Sequence, residues 1–243
     1  TAPKWEIKDR IYRLKNGKAP ITATIQSRNL YWFDEEKGYE RELKYAVNQR
    51  SPFVDEFKGG ELCLVCGSTW PEDDDVIVSY LNHQANGVKC IIAPHEINKQ
   101  KIKDVQQRLN VKTFLYSEKE GKTLSEYDVL IIDTIGLLTK VYSYADVAYV
   151  GGAMGTSGLH NILEPATFGV PIIIGSNFEK FPEAKRLQQL AGLYSVSNTT
   201  EFKTILEKIL DPQKWIFKNF YNSLTNFLSN LRIPLLISLS DFC

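Results

Sequence analysis

The feature that most constrains the fold is a series of six short apolar runs in the middle of the chain. Each run is four to six residues long, and most are rich in Val and Ile. Runs of this length and composition are typical of strands buried on both faces of a parallel sheet. The runs are Leu62–Cys66, Val88–Ala93, Val111–Tyr116, Asp128–Ile132, Val147–Val150 and Pro171–Gly175.

Amphipathic stretches separate these runs and favour helices. Pro71–Gln84 begins with a proline and four acidic residues, which suits a first helical turn. Further helices are predicted over Asn98–Leu109, Phe181–Leu190 and Thr200–Leu210, the last capped by Thr199 or Thr200. The alternation of strands and helices predicts an α/β domain with a doubly wound parallel sheet.

Composition divides the chain into three parts. Residues 1–50 form a basic N-terminal extension, in which short strands near Ile21–Ile25 and Leu30–Phe33 and a helix near Arg41–Gln49 are expected. Residues 51–212 hold the α/β domain. Residues 213–243 form an atypical apolar tail, which favours either an amphipathic helix over Trp215–Leu228 or a surface or partner contact, and its segment Ile233–Leu239 is too short to span a bilayer.

The charge balance and the cysteine content exclude several classes of protein. The chain has 29 Lys and Arg and 29 Asp and Glu, so it lacks the basic excess of nucleic-acid binders. Four cysteines are too few for a disulfide scaffold and favour a reducing compartment. No stretch reaches the roughly 18 to 20 apolar residues of a membrane span, and the start has no signal-peptide pattern and no Met. We therefore expect a soluble, cytoplasmic chain that is processed, trimmed or a fragment.

Three strand-end loops are candidate ligand sites, because ligands bind beyond the carboxyl ends of the strands in doubly wound sheets. In Gly67–Pro71, small and hydroxyl residues including Ser68 precede a helix, so they either bind an anion or merely cap the helix. His95 follows another strand directly after Pro94. In the third loop, the backbone N–H groups of Gly136–Leu138 are expected at a helix start.

The fourth loop, Gly151–Pro165, carries the strongest signal. It has four glycines in eight residues, which let the backbone approach a ligand closely. His160 and Asn161 follow, and Asn161 and Glu164 are three residues apart, so they share one helix face. A carboxylate at Glu164 can accept two hydrogen bonds from a ribose diol.

Neither the cysteines nor the acidic run predicts a metal site. Cys63 and Cys66 lie in one strand and point to opposite faces, which disfavours metal or redox chemistry. The run Asp73-Asp74-Asp75 is typical of a charged first helical turn.

Four segments together resemble a known family. The segments Gly67–Glu72, Asp133–Gly136, Ala145–Gly152 and Gly158–Ala166 closely resemble, in order and spacing, the C-terminal half of 3-deoxy-D-manno-octulosonic acid (Kdo) transferases, glycosyltransferase family 30. The residues in these segments are similar to those of the Bacteroidetes branch of the family. The resemblance covers roughly residues 52–212.

The resemblance implies one half of a GT-B glycosyltransferase, built from two Rossmann-like halves. In that family the C-terminal half binds the donor CMP-Kdo. The N-terminal half binds the lipid A precursor at the cytoplasmic face of the inner membrane, in lipopolysaccharide biosynthesis. That other half also carries the membrane anchor and the general base, so no catalytic residue is expected here and the isolated chain is expected to be inactive. No cofactor and no metal are implied.

The resemblance also implies which residues contact the nucleotide. Pro94 and His95 match a motif usually written Pro-Arg-His, but the arginine after Pro94 is absent. Arginine is the natural bidentate partner of a phosphate. Either His95 or Lys99 therefore replaces it, or the phosphate contact is weaker. The implied set is Ser68, Pro94, His95, Gly136, Leu137, Leu138, Gly152, His160, Asn161, Ile162, Leu163 and Glu164.

Three other functions stay open at this point. The chain could be a nucleotide-binding fragment without catalysis, or part of another GT-B enzyme such as a UDP-sugar transferase or epimerase. A dinucleotide oxidoreductase is disfavoured, because no Gly-x-Gly-x-x-Gly follows the first strand of the domain.

Overall fold

The structure, a computed structural model, describes residues 51–84 and 87–210 and the backbone of five strands within residues 1–50. These five are β1 (Trp5–Lys8), β2 (Ile11–Leu14), β3 (Thr24–Gln26), β4 (Asn29–Asp34) and β5 (Tyr39–Lys44). β1 pairs with β2, and β3, β4 and β5 form a second antiparallel sheet.

The expectations for the N-terminal part are met unevenly. The strand near Leu30–Phe33 is confirmed by β4, and that near Ile21–Ile25 is confirmed only at its end, in β3. The helix near Arg41–Gln49 is wrong where the structure describes it, because residues 41–44 belong to β5, which pairs with β4 over its full length. Strand pairing has overridden the local helix preference of Glu, Arg and Leu. Residues 45–49, Trp215–Leu228 and Ile233–Leu239 lie outside the described residues.

A seven-stranded parallel sheet forms the centre of the described domain, with the strand order β12-β11-β10-β6-β7-β9-β8. Its strands are β6 (Leu62–Thr69), β7 (Val88–Pro94), β8 (Thr113–Leu115), β9 (Val129–Ile131), β10 (Val147–Val150), β11 (Ile172–Gly175) and β12 (Leu193–Val196). The helices are α1 (Pro52–Lys58), α2 (Pro71–Gln84), α3 (Lys99–Arg108), α4 (Leu138–Val141), α5 (Leu163–Ala166), α6 (Pro182–Gln189) and α7 (Thr199–Leu210). All six predicted strands are confirmed, whereas β12 and α1 were not predicted.

The helices cover both faces of the sheet. α2, α3 and α7 bury side chains such as Ile77, Val105 and Phe202 against one face. α1, α4, α5 and α6 pack on the other face through side chains such as Phe57 and Leu187. The sheet is therefore doubly wound. No helix in the described part of the chain is long and apolar enough to cross a bilayer.

Helix ends follow the expected chemistry with one correction. α2 begins at Pro71 as predicted, and Asn98 caps α3 by accepting hydrogen bonds from the N–H groups of Gln100 and Lys101. The predicted cap of α7 at Thr199 or Thr200 is wrong. Asn198 Oδ1 accepts from Glu201 N at 2.9 Å, because the helix starts one residue earlier than expected.

The strand order places a topological switch point between β6 and β10. The chain runs from β6 through β7 to the edge strand β8, returns to β9, and only then places β10 on the far side of β6. The connections after β6 and β10 lead to opposite faces of the sheet. A crevice opens at such a point, and it is where doubly wound folds bind ligands.

Candidate functional site

The loops after β6 and β10 meet at this switch point. β6 extends through Thr69, so Gly67 and Ser68 are strand residues and not the loop residues expected from the sequence. The pairing of β6 with β7 is irregular between Gly67 and Thr69, and Ser68 has a φ of 54°. A positive φ is uncommon outside glycine and is found where the surrounding structure enforces it.

The approach of the two loops requires glycine at position 151. A Cβ there would lie 2.3 Å from the carbonyl oxygen of Ser68 and 2.7 Å from Asp73 Oδ2. Gly152 is buried, has a φ of 96°, and would also clash, with the carbonyl of Gly158. Gly151 therefore lets the two backbones touch, whereas the sequence predicted a close approach to a ligand, which stays a prediction.

Asp73 ties these loops together. Its carboxylate accepts hydrogen bonds from Trp70 N at 2.9 Å, Gly152 N at 2.8 Å and the Tyr149 hydroxyl at 2.6 Å. The side chain is fully buried, which raises its pKa, and these three donors oppose that shift. The sequence predicted only a charged helical turn for Asp73 and not this role. The available signal was its place three residues after the N-cap, where an acidic side chain can reach back to the N-cap N–H.

Three aromatic rings stand together at the same edge. Trp70 stacks on His95 with ring centroids 4.6 Å apart, and His95 lies 4.3 Å from His160. Trp70 Nε1 donates a hydrogen bond to His160 Nε2 at 2.9 Å. We call Trp70, His95 and His160 the ring cluster. Two of its members were predicted site residues, and the third came from the first predicted loop.

Glu164 and Asn161 lie next to each other, but not on one helix face as predicted. Asn161 Nδ2 donates to Glu164 Oε1 at 3.4 Å, and Thr139 Oγ1 donates to Glu164 Oε2 at 3.2 Å. Burial raises the pKa of Glu164, and these two donors oppose the shift. The helix opens later than expected, since α5 begins at Leu163 and Asn161 stands before it.

The two residues before Glu164 pack into the core. Ile162 and Leu163 are buried in the core, so their side chains are not exposed to a ligand. The N–H of Leu163 already donates to Asn161 Oδ1 at 3.1 Å.

The turn after β9 has the form expected for a backbone donor. Gly136 is exposed with a φ of 89°, and Leu137 and Leu138 are half-buried at the start of α4. Within the described ranges, the N–H groups of these three residues donate to no protein acceptor. Ile135, beside them, is 87% exposed. The turn therefore offers three free N–H groups next to an exposed apolar side chain.

The remaining candidates lie on the α3 side. Pro94 is the last residue of β7 and lines a pocket of about 160 Å³ with Trp70, His95 and Asp74. Lys99, considered as a substitute for the missing arginine, is exposed at the first turn of α3, whereas His95 belongs to the ring cluster. Ser68 is half-buried beside Gly151.

Asp74 is a buried carboxylate of this pocket with an unsatisfied oxygen. It is 7% exposed, and its Oδ1 and the Thr69 Oγ1 are both buried without a hydrogen bond of normal geometry in the described part of the structure. The pKa of Asp74 is raised to about 6, mainly by burial; the adjacent Thr69 hydroxyl and Arg108 oppose this rise, and the neighbouring charge of Asp73 adds to it. Perturbed carboxylates of this kind cluster at functional sites.

The raised pKa of Asp74 makes stability depend on pH. Between the pKa of the unfolded chain, about 3.9, and that of the fold, the native state binds more protons, so stability rises as the pH falls. We expect Asp74→Asn to stabilise the domain by about 1–2 kcal/mol at pH 7.5 and to lose that gain near pH 4. Urea unfolding at both pH values measures this, with exposed Asp75→Asn as the control. A pH-independent effect would contradict the assignment.

Cys63 and Cys66 point to opposite faces of the sheet, as predicted. Cys63 is buried on one face of the sheet and Cys66 on the other, where its Sγ lies 3.9 Å from that of Cys90. Burial raises the pKa of Cys63 and Cys66, which disfavours reactive thiolates. Among the described residues, no three His, Cys, Asp or Glu side chains are grouped to hold a metal ion.

Relatives with known names match the domain that carries this site. No protein-family model matches the chain. The 3-deoxy-D-manno-octulosonic acid transferase of Chlamydophila psittaci is 30% identical over 154 residues, 62% of this chain and 35% of that protein. The enzyme of the same name from Aquifex aeolicus is 30% identical over 158 residues, 63% of this chain and 43% of that protein. A bifunctional glycosyltransferase/methyltransferase of Fusobacterium nucleatum is 29% identical over 153 residues, 62% of this chain and 24% of that protein.

Over this stretch the chain is homologous to Kdo transferases. It spans less than half the length of these curated relatives. The family number and the Bacteroidetes origin stay predictions, as does the division of the chain at residues 50 and 212.

Solved structures establish the fold. The C-terminal CMP-Kdo binding domain of WaaA from Acinetobacter baumannii has a TM-score of 0.62 at 21% identity, covering 72% of this chain and 93% of that domain. Anabaena HepE in complex with UDP-glucose has a TM-score of 0.54 at 10% identity, covering 77% of this chain and 50% of that chain. The predicted fold class is confirmed: a doubly wound, Rossmann-like parallel sheet of the kind that forms one half of a GT-B glycosyltransferase.

Proposed function

We propose that this chain is the donor-binding half of a Kdo transferase and that it binds CMP-Kdo at the switch point between β6 and β10. The observation that carries the proposal is the pair Asn161 and Glu164, held together beside the glycine-rich loop in a domain homologous to Kdo transferases. Both carboxylate oxygens of Glu164 face polar side chains, which is the environment that a ribose diol would share.

The other parts of the site suit the rest of the nucleotide. The free N–H groups of Gly136–Leu138 suit polar atoms of the base, and exposed Ile135 suits its flat face. The ring cluster suits the phosphate, since His160 can donate a hydrogen bond and His95 stands where the family has an arginine. The site residues implied by the resemblance are thus proposed as the contacts for CMP-Kdo.

The reaction follows from positioning the leaving group. A hydroxyl of the lipid A precursor loses its proton to a carboxylate of the other half, its oxygen attacks the anomeric carbon of Kdo, and the bond from that carbon to the CMP phosphate breaks. CMP leaves with the bonding electrons, so negative charge develops on its phosphate. Fixed dipoles of this chain stabilise that charge. The reaction belongs to the cytoplasmic face of the inner membrane, which the other half would contact.

Titration with nucleotides tests the donor assignment. We expect calorimetry on the full chain to show CMP binding at least tenfold more tightly than UMP or NAD, because the base contacts select cytosine. Preference for UMP would favour a UDP-sugar enzyme, and preference for NAD a dehydrogenase; either result contradicts the proposal.

A transfer assay separates an enzyme half from an inert nucleotide-binding fragment. The chain alone is expected to transfer almost no Kdo to lipid A precursor. Turnover is expected when an acceptor half from a homologous Kdo transferase is supplied. CMP binding without turnover under both conditions would favour the inert fragment.

A further inference from the structure

The ring cluster fixes the protonation of His160 by geometry. An indole N–H can only donate a hydrogen bond. Trp70 Nε1 lies 2.9 Å from His160 Nε2, so Nε2 must offer its lone pair. In a neutral imidazole only one nitrogen carries the proton, which places it on Nδ1. Protonation of Nε2 would set two donors against each other and break this bond.

The position of the indole is itself fixed. The backbone N–H of Trp70 donates to buried Asp73, and the ring stacks on His95 at an interplanar angle of 21°. The indole plane is also within 15° of the His160 ring plane. His160 is held through its backbone, since its main-chain N–H donates to the carbonyl of Gly151 at 3.2 Å. Both ends of the hydrogen bond are therefore anchored to the loops of the switch point.

We infer that Trp70 is a positioning residue for His160: its indole N–H keeps the imidazole neutral with the proton on Nδ1, so that the site meets the donor phosphate with a neutral hydrogen-bond donor. The role toward phosphate rests on the proposed function, whereas the choice of tautomer does not. Within the described ranges Nδ1 has no protein partner, so its N–H is available to a ligand.

The charged groups around His160 agree with a neutral ring. His95, after β7, adds a second imidazole. Burial lowers the pKa of His160, and the neighbouring His95 lowers it further by a smaller amount. On α2, Asp73 is occupied by three donors, and the Glu72 carboxylate lies against Gly155. On α5, Glu164 is occupied by Thr139 and Asn161. No carboxylate in the described structure forms an ion pair with His160 that would hold it as a cation.

This arrangement has a consequence for donor binding. A cationic His160 would hold the CMP phosphate more tightly at low pH and release it more slowly. A neutral His160 keeps the affinity for the phosphate nearly independent of pH around neutrality. It also fixes the direction of the hydrogen bond. Trp70 would thus set the pH range in which the site binds and releases CMP with constant strength.

Nitrogen-15 NMR of the histidine rings tests the inference without any ligand. In the native protein we expect Nδ1–H and an unprotonated Nε2 on His160. In Trp70→Phe, which keeps a ring beside His95, we expect Nε2–H to appear and the pKa of His160 to rise by up to about one unit, the worth of one hydrogen bond. Retention of both the tautomer and the pKa in a folded Trp70→Phe protein would overturn the inference.

CMP titration at pH 5.5 and pH 7.5 tests the link to phosphate. The affinity of Trp70→Phe relative to the native protein is expected to rise several-fold at the lower pH. The titration of CMP itself cancels in this ratio. The same ratio measured in a His160→Gln background is expected to stay constant, because glutamine does not titrate. An equal rise in that background would overturn the role of His160. Failure of the native protein to bind CMP would defeat the proposed function, and the ring spectra would still decide the tautomer.

Discussion

Replacement of Asp73 by Ala is expected to destabilise the domain by about 4 kcal/mol, because a buried acceptor is lost while its donors stay buried. Trp70 N, Gly152 N and the Tyr149 hydroxyl would each lose the Asp73 carboxylate as their acceptor. Each unsatisfied buried donor costs about 1–3 kcal/mol, and partial relaxation of the loops offsets some of the sum. The free energy of unfolding in urea at pH 7 measures the effect.

Matched variants separate this network from general effects of charge. Asp75, two positions later in the same helix, is 70% exposed at its side chain and pairs with Arg108, its one ion-pair partner in the described part of the chain. Asp75→Ala is therefore expected to cost less than about 0.5 kcal/mol. Tyr149→Phe removes one donor and leaves the backbone bonds, so it is expected to cost about 1 kcal/mol. Equal losses in Asp73→Ala and Asp75→Ala would contradict the role given to Asp73.

The effect of Asp73 should extend to the site. Asp73 is the acceptor that joins the start of α2 to the loop after β10, and it fixes the backbone of Trp70, whose indole contacts His160. A folded Asp73→Asn protein should therefore bind CMP more weakly, although Asp73 itself touches no proposed ligand atom. Stability of the domain and order of the site thus depend on one buried carboxylate.

The strand that the sequence predicted most exactly is one that is buried along its whole length. β10 was predicted to the residue, since Val147–Val150 is buried at every position. β12 was missed because it lies at the edge of the sheet, where Tyr194 and Ser195 are only partly buried and the apolar pattern is broken. α1 was missed because Pro52–Lys58 is short and buries only Val54 and Phe57, too few positions to show a helical period.

In the candidate site, local motifs were predictable from the sequence and long-range contacts were not. Local motifs identified the glycine-rich loop and Glu164, because glycine and a carboxylate at short spacing leave a signature in the sequence. The bond from Trp70 to His160 joins residues 90 positions apart, and that from Asp73 to Gly152 spans 79 positions. Such contacts depend on strand order, which no local pattern encodes. Sequence could therefore point to the ligand side of the site but not to the network that supports it.

The largest effect on function is expected at Glu164. If Glu164 accepts both hydroxyls of the ribose, Glu164→Ala removes two charge-assisted hydrogen bonds, each worth about 1.5–3 kcal/mol. The expected result is a loss of CMP affinity of about 100-fold or more. Glu164→Gln keeps one acceptor oxygen and should lose about tenfold. Calorimetric titration of CMP into the three proteins measures these ratios.

The loss of affinity should leave the fold intact, which distinguishes Glu164 from Asp73. The two side-chain hydrogen bonds of Glu164 are long, at 3.2 and 3.4 Å, and burial of its charge raises its pKa. Removal of the side chain therefore loses two weak hydrogen bonds but also removes the free-energy cost of burying a charge. Thermal unfolding of Glu164→Ala should therefore stay close to that of the native protein. Glu207→Ala, at an exposed position of α7, serves as the control for a lost surface carboxylate. Because the pKa of Glu164 is raised, CMP affinity of the native protein should also fall as the pH drops through that pKa, and Glu164→Gln should lack this fall. Unchanged CMP affinity in a folded Glu164→Ala protein would remove the ribose from Glu164, and with it the observation on which the donor site rests.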